Sequence, residues 1–457
     1  MRLKRIVAAA AALGVCLPGV AFATDGYFAH GYGMKALGRG GAAIAMTDDA
    51  FGGANNPATM VWVGRRVDIG LQWFRPDREA SRVGSGNAGL GIPAGALDGT
   101  ASGNGDQNFF IPELAYNHLI NPTLSLGVTV YGNGGMNTKY SGGTITNPAG
   151  RGTCNFFQTG APGPGNPSYN LLCGNGDLGV DLSQLIIAPT LAWKFHPQHS
   201  VGIAPLFAYQ RFEAYGLQPF AGISSSPLNL TNRGHDTSTG WGVRIGWYGQ
   251  VTPTVGLGAT FQSKIYMSKF GNYSGLFAEQ GDFDIPMNWG IGAKWQATPK
   301  LLLAADYVRI YYSQVKSVGN PSTQAPCTFG IPTQPACLGA SADSIGFGWK
   351  DVGVLKLGGE YRVNSAWLVR AGYNYSQNPI KSSDVTFNIL APGVVQHHLT
   401  VGFTYTLPGG SELTGMYFHA FSNDVTGPTN PLYFPVGGTE KIKLSEDGFG
   451  IAWGMNF

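Results

Sequence analysis

Apolar and polar residues alternate one for one, in short runs, from about residue 67 to the last residue of the chain. In the stretch 398–407, Leu399, Val401, Phe403, Tyr405 and Leu407 share one parity, and Thr400, Gly402, Thr404 and Thr406 the other. The stretch 366–376 repeats the pattern, with Trp367, Val369, Ala371, Tyr373 and Tyr375 against Arg370, Gly372, Asn374 and Ser376. Alternation at period two means strands with one apolar face. Fourteen such runs are legible, near 67–75, 109–118, 124–140, 185–195, 201–215, 239–250, 254–270, 285–296, 301–312, 353–363, 366–377, 396–407, 411–421 and 447–457.

The connections between them alternate in length. Asn121-Pro122, His196-Pro197-Gln198-His199, Thr252-Pro253-Thr254, Thr298-Pro299-Lys300, Val363-Asn364-Ser365 and Pro408-Gly409-Gly410 are tight turns. Long Gly/Pro/Ser-rich stretches such as 76–108, 141–184, 313–352 and 422–446 separate them. An even number of strands joined by short turns at one end and long loops at the other is the pattern of an outer-membrane barrel.

Composition separates this reading from a soluble β-sandwich or β-helix. Charged residues are 12% of the chain, about half the usual share for a soluble protein, and mean hydropathy is only -0.02. Trp73, Trp193, Trp241, Trp247, Trp289, Trp295, Trp367 and Trp453, out of ten tryptophans, fall on the apolar parity. In water that face would aggregate; in lipid such rings form interfacial girdles. Phe449, Ile451, Trp453, Met455 and Phe457 alternate to a terminal aromatic, like the C-terminal signal read by the barrel assembly machinery.

Arg2, Lys4 and Arg5, the apolar run Ile6 to Pro18, and Ala21-Phe22-Ala23 read as a signal peptide over 1–23, so the mature chain starts at Thr24. Val15 before Cys16 does not fit a lipobox. Cleavage leaves Cys154, Cys173, Cys327 and Cys337. An even count in an exported chain favours two disulfides, most simply Cys154–Cys173 and Cys327–Cys337, with free thiols or a metal as rivals. The absence of CxxC or clustered histidine argues against metal.

Residues 24–66 do not alternate and are rich in Gly and Ala. They suit either a periplasmic extension or a plug packed inside the barrel. Within them, Gly38-Arg39-Gly40-Gly41-Ala42, then Asp48-Asp49-Ala50, then Asn56-Pro57-Ala58 resemble the N-terminal hatch of the FadL/TodX (OMPP1) family of outer-membrane transporters. The likeness continues through Gly271-Asn272-Tyr273-Ser274, Ile285-Pro286, Gly348-Trp349-Lys350-Asp351 and Gln377-Asn378-Pro379-Ile380, and so covers the mature chain in order. It implies an all-β, fourteen-stranded barrel over 67–457, closed by a hatch over 24–66, in a Gram-negative outer membrane. It also implies passive uptake of hydrophobic compounds, long-chain fatty acids or aromatic hydrocarbons.

In the third strand, Leu124, Leu126, Val128 and Val130 alternate, and then Tyr131-Gly132-Asn133-Gly134-Gly135 interrupts. Glycines within a strand mark bulges or close backbone approaches. Either they merely curve or end the strand, or they make the inward kink that the resemblance implies. On the second reading Gly132, Asn133, Gly134 and Gly135 shape a lateral opening facing Asn56-Pro57-Ala58.

Arg244, Lys264, Lys294, Lys356, Arg362 and Arg370 fall on the inward parity. They either pair with Glu360, Asp68 or the hatch acids Asp48 and Asp49, or one of them binds a substrate carboxylate by a charge-assisted hydrogen bond. His196, His199 and the pair His397-His398 read as polar anchors at the membrane interface. No nucleophile elbow is present, and Gly89-Leu90-Gly91-Ile92-Pro93-Ala94 only imitates a dinucleotide loop, having no strand before it or helix after it. The sequence therefore points to no enzyme and no cofactor, and the net charge of +3 argues against nucleic acid. Expected partners are hydrophobic small molecules (fatty acids, hydrocarbons, detergent in crystals) and outer-membrane lipids, with the chain a monomer. A water-filled general porin is the rival reading, and an outer-membrane lipid-modifying enzyme a more distant one.

Overall fold

The computed structural model describes residues 25–161, 163–323, 337–432 and 434–457. The expected signal peptide, Cys16 and Cys327 lie outside these residues. Fourteen antiparallel strands run in sequence: β1 (Arg66–Val83), β2 (Phe109–Asn121), β3 (Leu124–Tyr140), β4 (Leu178–His196), β5 (His199–Tyr215), β6 (Asp236–Gln250), β7 (Val255–Gln262), β8 (Asn288–Gln296), β9 (Leu301–Ile310), β10 (Val352–Arg362), β11 (Trp367–Ser376), β12 (His397–Thr406), β13 (Glu412–Pro428) and β14 (Thr439–Asn456). Each pairs with its neighbours in the chain, and β14 pairs with β1 from Arg66↔Asn456 to Val83↔Thr439, which closes the barrel. Two short pieces, Gly99–Ser102 and Tyr266–Met267, pair with β1 and β6 above the wall.

The period-two pattern sets which way each side chain points. Trp193, Trp241, Trp295, Trp367 and Trp453 are exposed on the outside together with Ile69, Leu126, Phe207, Ile291, Val401 and Ile451. The opposite parity is buried in the lumen. It carries polar side chains such as Asp68, Gln72, Asn117, Gln184, Asp306 and Thr400.

Several strands are longer than their alternation suggests. β1 extends past 75 to Val83, β4 starts at Leu178 rather than 185, β13 reaches Pro428 and β14 begins at Thr439. These extensions carry charge on both faces: Arg78 and Arg82 are buried while Asp77 and Glu79 are exposed. Beyond the lipid an outward side chain has no reason to be apolar, so alternation stops while the hydrogen-bonded ladder continues. The run 254–270 is a correction of another kind. Pairing of β7 ends at Gln262, and Lys264 lies beyond the strand rather than on its inward parity.

The external loops carry a helix, Pro148–Thr159, capped by the Asn147 side chain, which accepts from Ala149 N. Cys154 on this helix is disulfide-bonded to Cys173. Cys337 is also disulfide-bonded, and Cys327 lies outside the described residues. No helix among the described residues is long and apolar enough to cross a membrane.

Candidate functional site

Residues 25–65 lie inside the barrel and are almost wholly buried. Three luminal carboxylates grip their backbone. Glu113 on β2 accepts from Gly33 N and Met34 N at 3.1 Å each, Asp306 on β9 from Ala43 N (2.7 Å) and Ile44 N (2.9 Å), and Asp68 on β1 from Ala50 N at 2.9 Å. A hydrogen bond of this kind contributes about 0.5–1.5 kcal/mol net. Glu113 and Asp306, which hold the segment, were not singled out in the sequence; their signal is a carboxylate on the inward parity of an otherwise apolar strand.

Ion pairs fasten the same segment at its periplasmic side. Arg39, fully buried, bonds Asp48 (2.6 Å) and Glu360, which also accepts from Arg370 Nε at 2.5 Å. Lys35 Nζ reaches Glu412 at 2.8 Å, and Arg66 bridges Asp68 and Glu412. Burial alone would raise the Asp48 carboxyl, but Arg39 and Lys35 outweigh it and hold it far below the usual carboxylate range. Asp49 makes no ion pair among the described residues: burial, with Asp48 and Asp68 nearby, outweighs the pull of Lys35 and pushes its carboxyl up to about 7. Its Oδ1 accepts from Phe51 N at 2.9 Å.

Asn56-Pro57-Ala58 forms a corner. Asn56 is extended (φ -144°, ψ 108°), its side chain accepts from Ala58 N, and its Nδ2 donates to Ile44 O (2.8 Å) and Trp247 O (2.9 Å). The wall makes room with glycine. A Cβ on Gly246 would sit 1.9 Å from Asn56 Oδ1, and one on Gly202 2.4 Å from the Pro57 carbonyl carbon. The corner therefore rests on β5 and β6.

The six basic residues are deployed in different ways. Arg244 donates to Gly53 O at 3.0 Å and also to Ala54 O and Gln262. Lys356 donates to His30 O at 2.8 Å and lies 3.6 Å from Asp25. Lys294 meets Thr47 Oγ1 at 3.0 Å. Lys264 pairs with Asp284 at 2.7 Å, and Arg370 with Glu360. Arg362 is exposed and lines a cavity of about 250 Å³ beneath the segment, with Lys35, Asp48, Arg66 and Glu412.

The interruption in β3 is a break in the wall. β2 and β3 pair from Asn121↔Leu124 up to Leu114↔Val130 and then part. β3 keeps its ladder to β4, with a register shift between Gly132 and Gly134 that leaves Asn133 as a bulge. Further up, Asn104 pairs with Lys139 and closes the wall again. Between these limits β3 lacks β2 as a neighbour, and residues 27–29 of the N-terminal segment take its place. Ala29 N donates to Asn133 O (3.2 Å), Gly135 N to Tyr27 O (3.0 Å), and Phe28 bridges Gly134. Arg78 serves another freed carbonyl, donating to Asn137 O at 2.5 Å. Freed backbone groups in lipid must be satisfied in this way.

The break does not face the segment that the sequence suggested. Gly134 faces Tyr27 and Phe28, not Asn56-Pro57-Ala58, and a Cβ on it would lie 1.8 Å from Tyr27 O. Asn133 Nδ2 donates to Gln184 at 2.9 Å and Tyr32 OH donates to Asn133 O at 3.0 Å, so the bulge is held from inside. His398 is corrected as well. It is fully buried in the lumen, stacked on His30 with ring centroids 5.6 Å apart, rather than an interfacial anchor.

Residues 173–426, more than half of the chain, match the family model described as outer membrane protein transport protein (OMPP1/FadL/TodX). Among solved structures, a Pseudomonas aeruginosa FadL homologue superposes with a TM-score of 0.66 at 16% identity, over 94% of this chain and 100% of that one. The P. putida toluene transporter TodX gives 0.63 at 16%, over 94% and 99%. The Ralstonia pickettii toluene transporter TbuX gives 0.58 at 17%, over 94% and 99%. No curated protein sequence matches the chain.

Proposed function

Because the chain belongs to the OMPP1/FadL/TodX family of outer-membrane transport proteins, we propose that it takes up hydrophobic compounds passively, long-chain fatty acids or aromatic hydrocarbons, and releases them sideways through the break between β2 and β3. Residues 24–66 act as the hatch. The protein works as a monomer in outer-membrane lipid, to which the barrel assembly machinery delivers it. The observation that carries the reading is the parting of β2 from β3 above Leu114↔Val130, where residues 27–29 stand in for the missing strand.

Physical chemistry favours that route. A hydrophobic molecule gains nothing from entering periplasmic water. The straight path also leads through the charged cavity of Lys35, Asp48, Arg66, Arg362 and Glu412, where an apolar cargo would desolvate ions without pairing them. A general porin needs an open lumen, and the gripped segment 25–65 stands across it.

Replacing Gly134 and Gly135 with Val tests the reading. A Cβ at 134 would lie 1.8 Å from Tyr27 O, so the two valine side chains fill the space between β3 and residues 27–29 and block the gap. Uptake of oleate or an aromatic hydrocarbon by cells should fall at least about tenfold, while heat-modifiable migration on gels shows a folded barrel. Uptake at the wild-type rate would refute lateral release.

A further inference from the structure

Tyr32 stands between two glycines, and both are needed where they are. A Cβ on Gly31 would lie 2.8 Å from Gly41 Cα, and Gly33 has φ 90°, which glycine adopts without strain. The backbone here packs flat on the rest of the N-terminal segment, and only the Tyr32 side chain projects to the wall.

It projects to the foot of the break. Leu114↔Val130 is the last pair below it, so the margins begin at Glu113 on β2 and Tyr131 on β3. The Glu113 carboxyl grips the residues after Tyr32, accepting from Gly33 N and Met34 N at 3.1 Å each. The Tyr32 ring packs on the Tyr131 ring, with centroids 4.6 Å apart and planes at 58°. Its hydroxyl reaches further along β3 to the bulge, donating to Asn133 O at 3.0 Å with Asn133 Oδ1 at 3.2 Å. Residues 32–34 therefore span the break at its foot, from one margin to the other.

Of residues 25–46, Tyr32 alone is not buried. With Phe28, Ala29, Asn55 and Arg244 it lines a luminal cavity of about 60 Å³. That is less than the roughly 150 Å³ that can hold a benzene molecule. A cargo passing from the lumen to the break needs more room than the cavity offers. Residues 27–29 can give some of it, because two backbone bonds hold them to β3. Tyr32 is anchored differently: Asn55 Nδ2 donates to its carbonyl at 2.9 Å, and Glu113 holds the next residue. Its ring stays in place when residues 27–29 move. A fixed ring beside an opening limits the width of what passes.

We propose that Tyr32 is a specificity-determining residue of the exit: its ring sets the width of cargo that can pass the break, and its hydroxyl holds the Asn133 bulge at that width. The proposal rests on the lateral-release reading above.

The test gives cells carrying the full chain a one-ring and a two-ring hydrocarbon, toluene and naphthalene. Uptake is counted above cells that lack the protein, and heat-modifiable migration on gels checks that each barrel is folded. Tyr32→Ala should raise the naphthalene-to-toluene ratio at least about fivefold, and Tyr32→Trp should lower it, since small changes in an apolar passage discriminate strongly by size. Tyr32→Phe, which keeps the ring and drops the hydroxyl, should raise the ratio less than Tyr32→Ala does. Should Tyr32→Ala not fold, Tyr32→Leu makes the same comparison. A merely structural role would move both cargoes together, so an unmoved ratio in the Ala and Trp variants would overturn the proposal. Adding Gly134→Val and Gly135→Val to Tyr32→Ala separates the two readings. Uptake of both cargoes should then fall to background. Uptake that persists at the Tyr32→Ala rate would refute lateral release and the Tyr32 proposal with it, whereas blocked uptake after an unmoved ratio would sink the Tyr32 proposal alone.

Discussion

The two ends of the N-terminal segment are held in different ways. Residues 33–62 are bolted to the wall by Glu113, Asp306, Asp68, the Arg39–Glu360 pair and the Asn56 corner, on strands from all around the barrel. Residues 25–30 make two backbone bonds to β3, a bond and an ion pair with Lys356, hydrogen bonds between Tyr312 OH and both Tyr27 N and Asp25 O, and ring contacts of Tyr27 and Phe28 with Tyr312 and of His30 with His398. The lower part is fixed by charge and satisfied donors, the upper part by a short ladder beside a break in the wall. Under the proposed function the difference is a division of labour: one part would shut the periplasmic end, and the other would be the part that yields.

Removing the upper part breaks the contrast most severely. Deletion of residues 25–31 should uncover the β2–β3 break and raise hydrocarbon uptake at least about tenfold, with little added leakage of small sugars. Liposome swelling measures the leak; a large leak would mean that these residues seal the lumen as well.

Arg39→Ala strikes the lower part. It leaves Asp48 and Glu360 short of a buried partner, a loss of about 3–5 kcal/mol in pairs of this kind. Conductance in planar bilayers should rise while uptake persists. Unchanged conductance would mean that the ion pairs do not anchor the segment.

A smaller effect belongs to Asp49. Its carboxyl is raised to about 7, so the packed segment holds a proton that the released one gives up. The stability from this group is complete below the ordinary carboxylate range and is lost as pH rises through about 7. Asp49 is partly open to solvent, which limits the size of the effect. Leak conductance should climb modestly between pH 6 and pH 8 in the wild type and stay flat in Asp49→Asn. A rise of the same slope in the variant would assign the titration elsewhere.

The wall was legible because lipid imposes a strict rule on it. Each outward position of a spanning strand must be apolar, so Leu399, Val401 and Phe403 announce their face. Above the lipid the rule lapses, and the top of β1, with Arg78 and Glu79 on opposite faces, reads as loop although it is strand. The lumen obeys no periodic rule at all. Gly134 is visible in sequence as an interruption, but its partner Tyr27 is more than a hundred residues away and carries no mark of the pairing. His398 misleads for a related reason: at the start of a strand it reads as an interfacial residue, and only the extension of the barrel above that point buries it.

The central claim is the exit path, and a photoreactive hydrocarbon analogue tests it most directly. Cells supplied with such a cargo are illuminated during uptake, and adducts on the purified protein are mapped by mass spectrometry. The account predicts adducts on both margins of the break, residues 109–113 of β2 and 131–136 of β3, together with Tyr27 or Phe28. Adducts on Lys35, Arg362, Thr406 or Glu412, which line the periplasmic cavity, with none at the break, would contradict it.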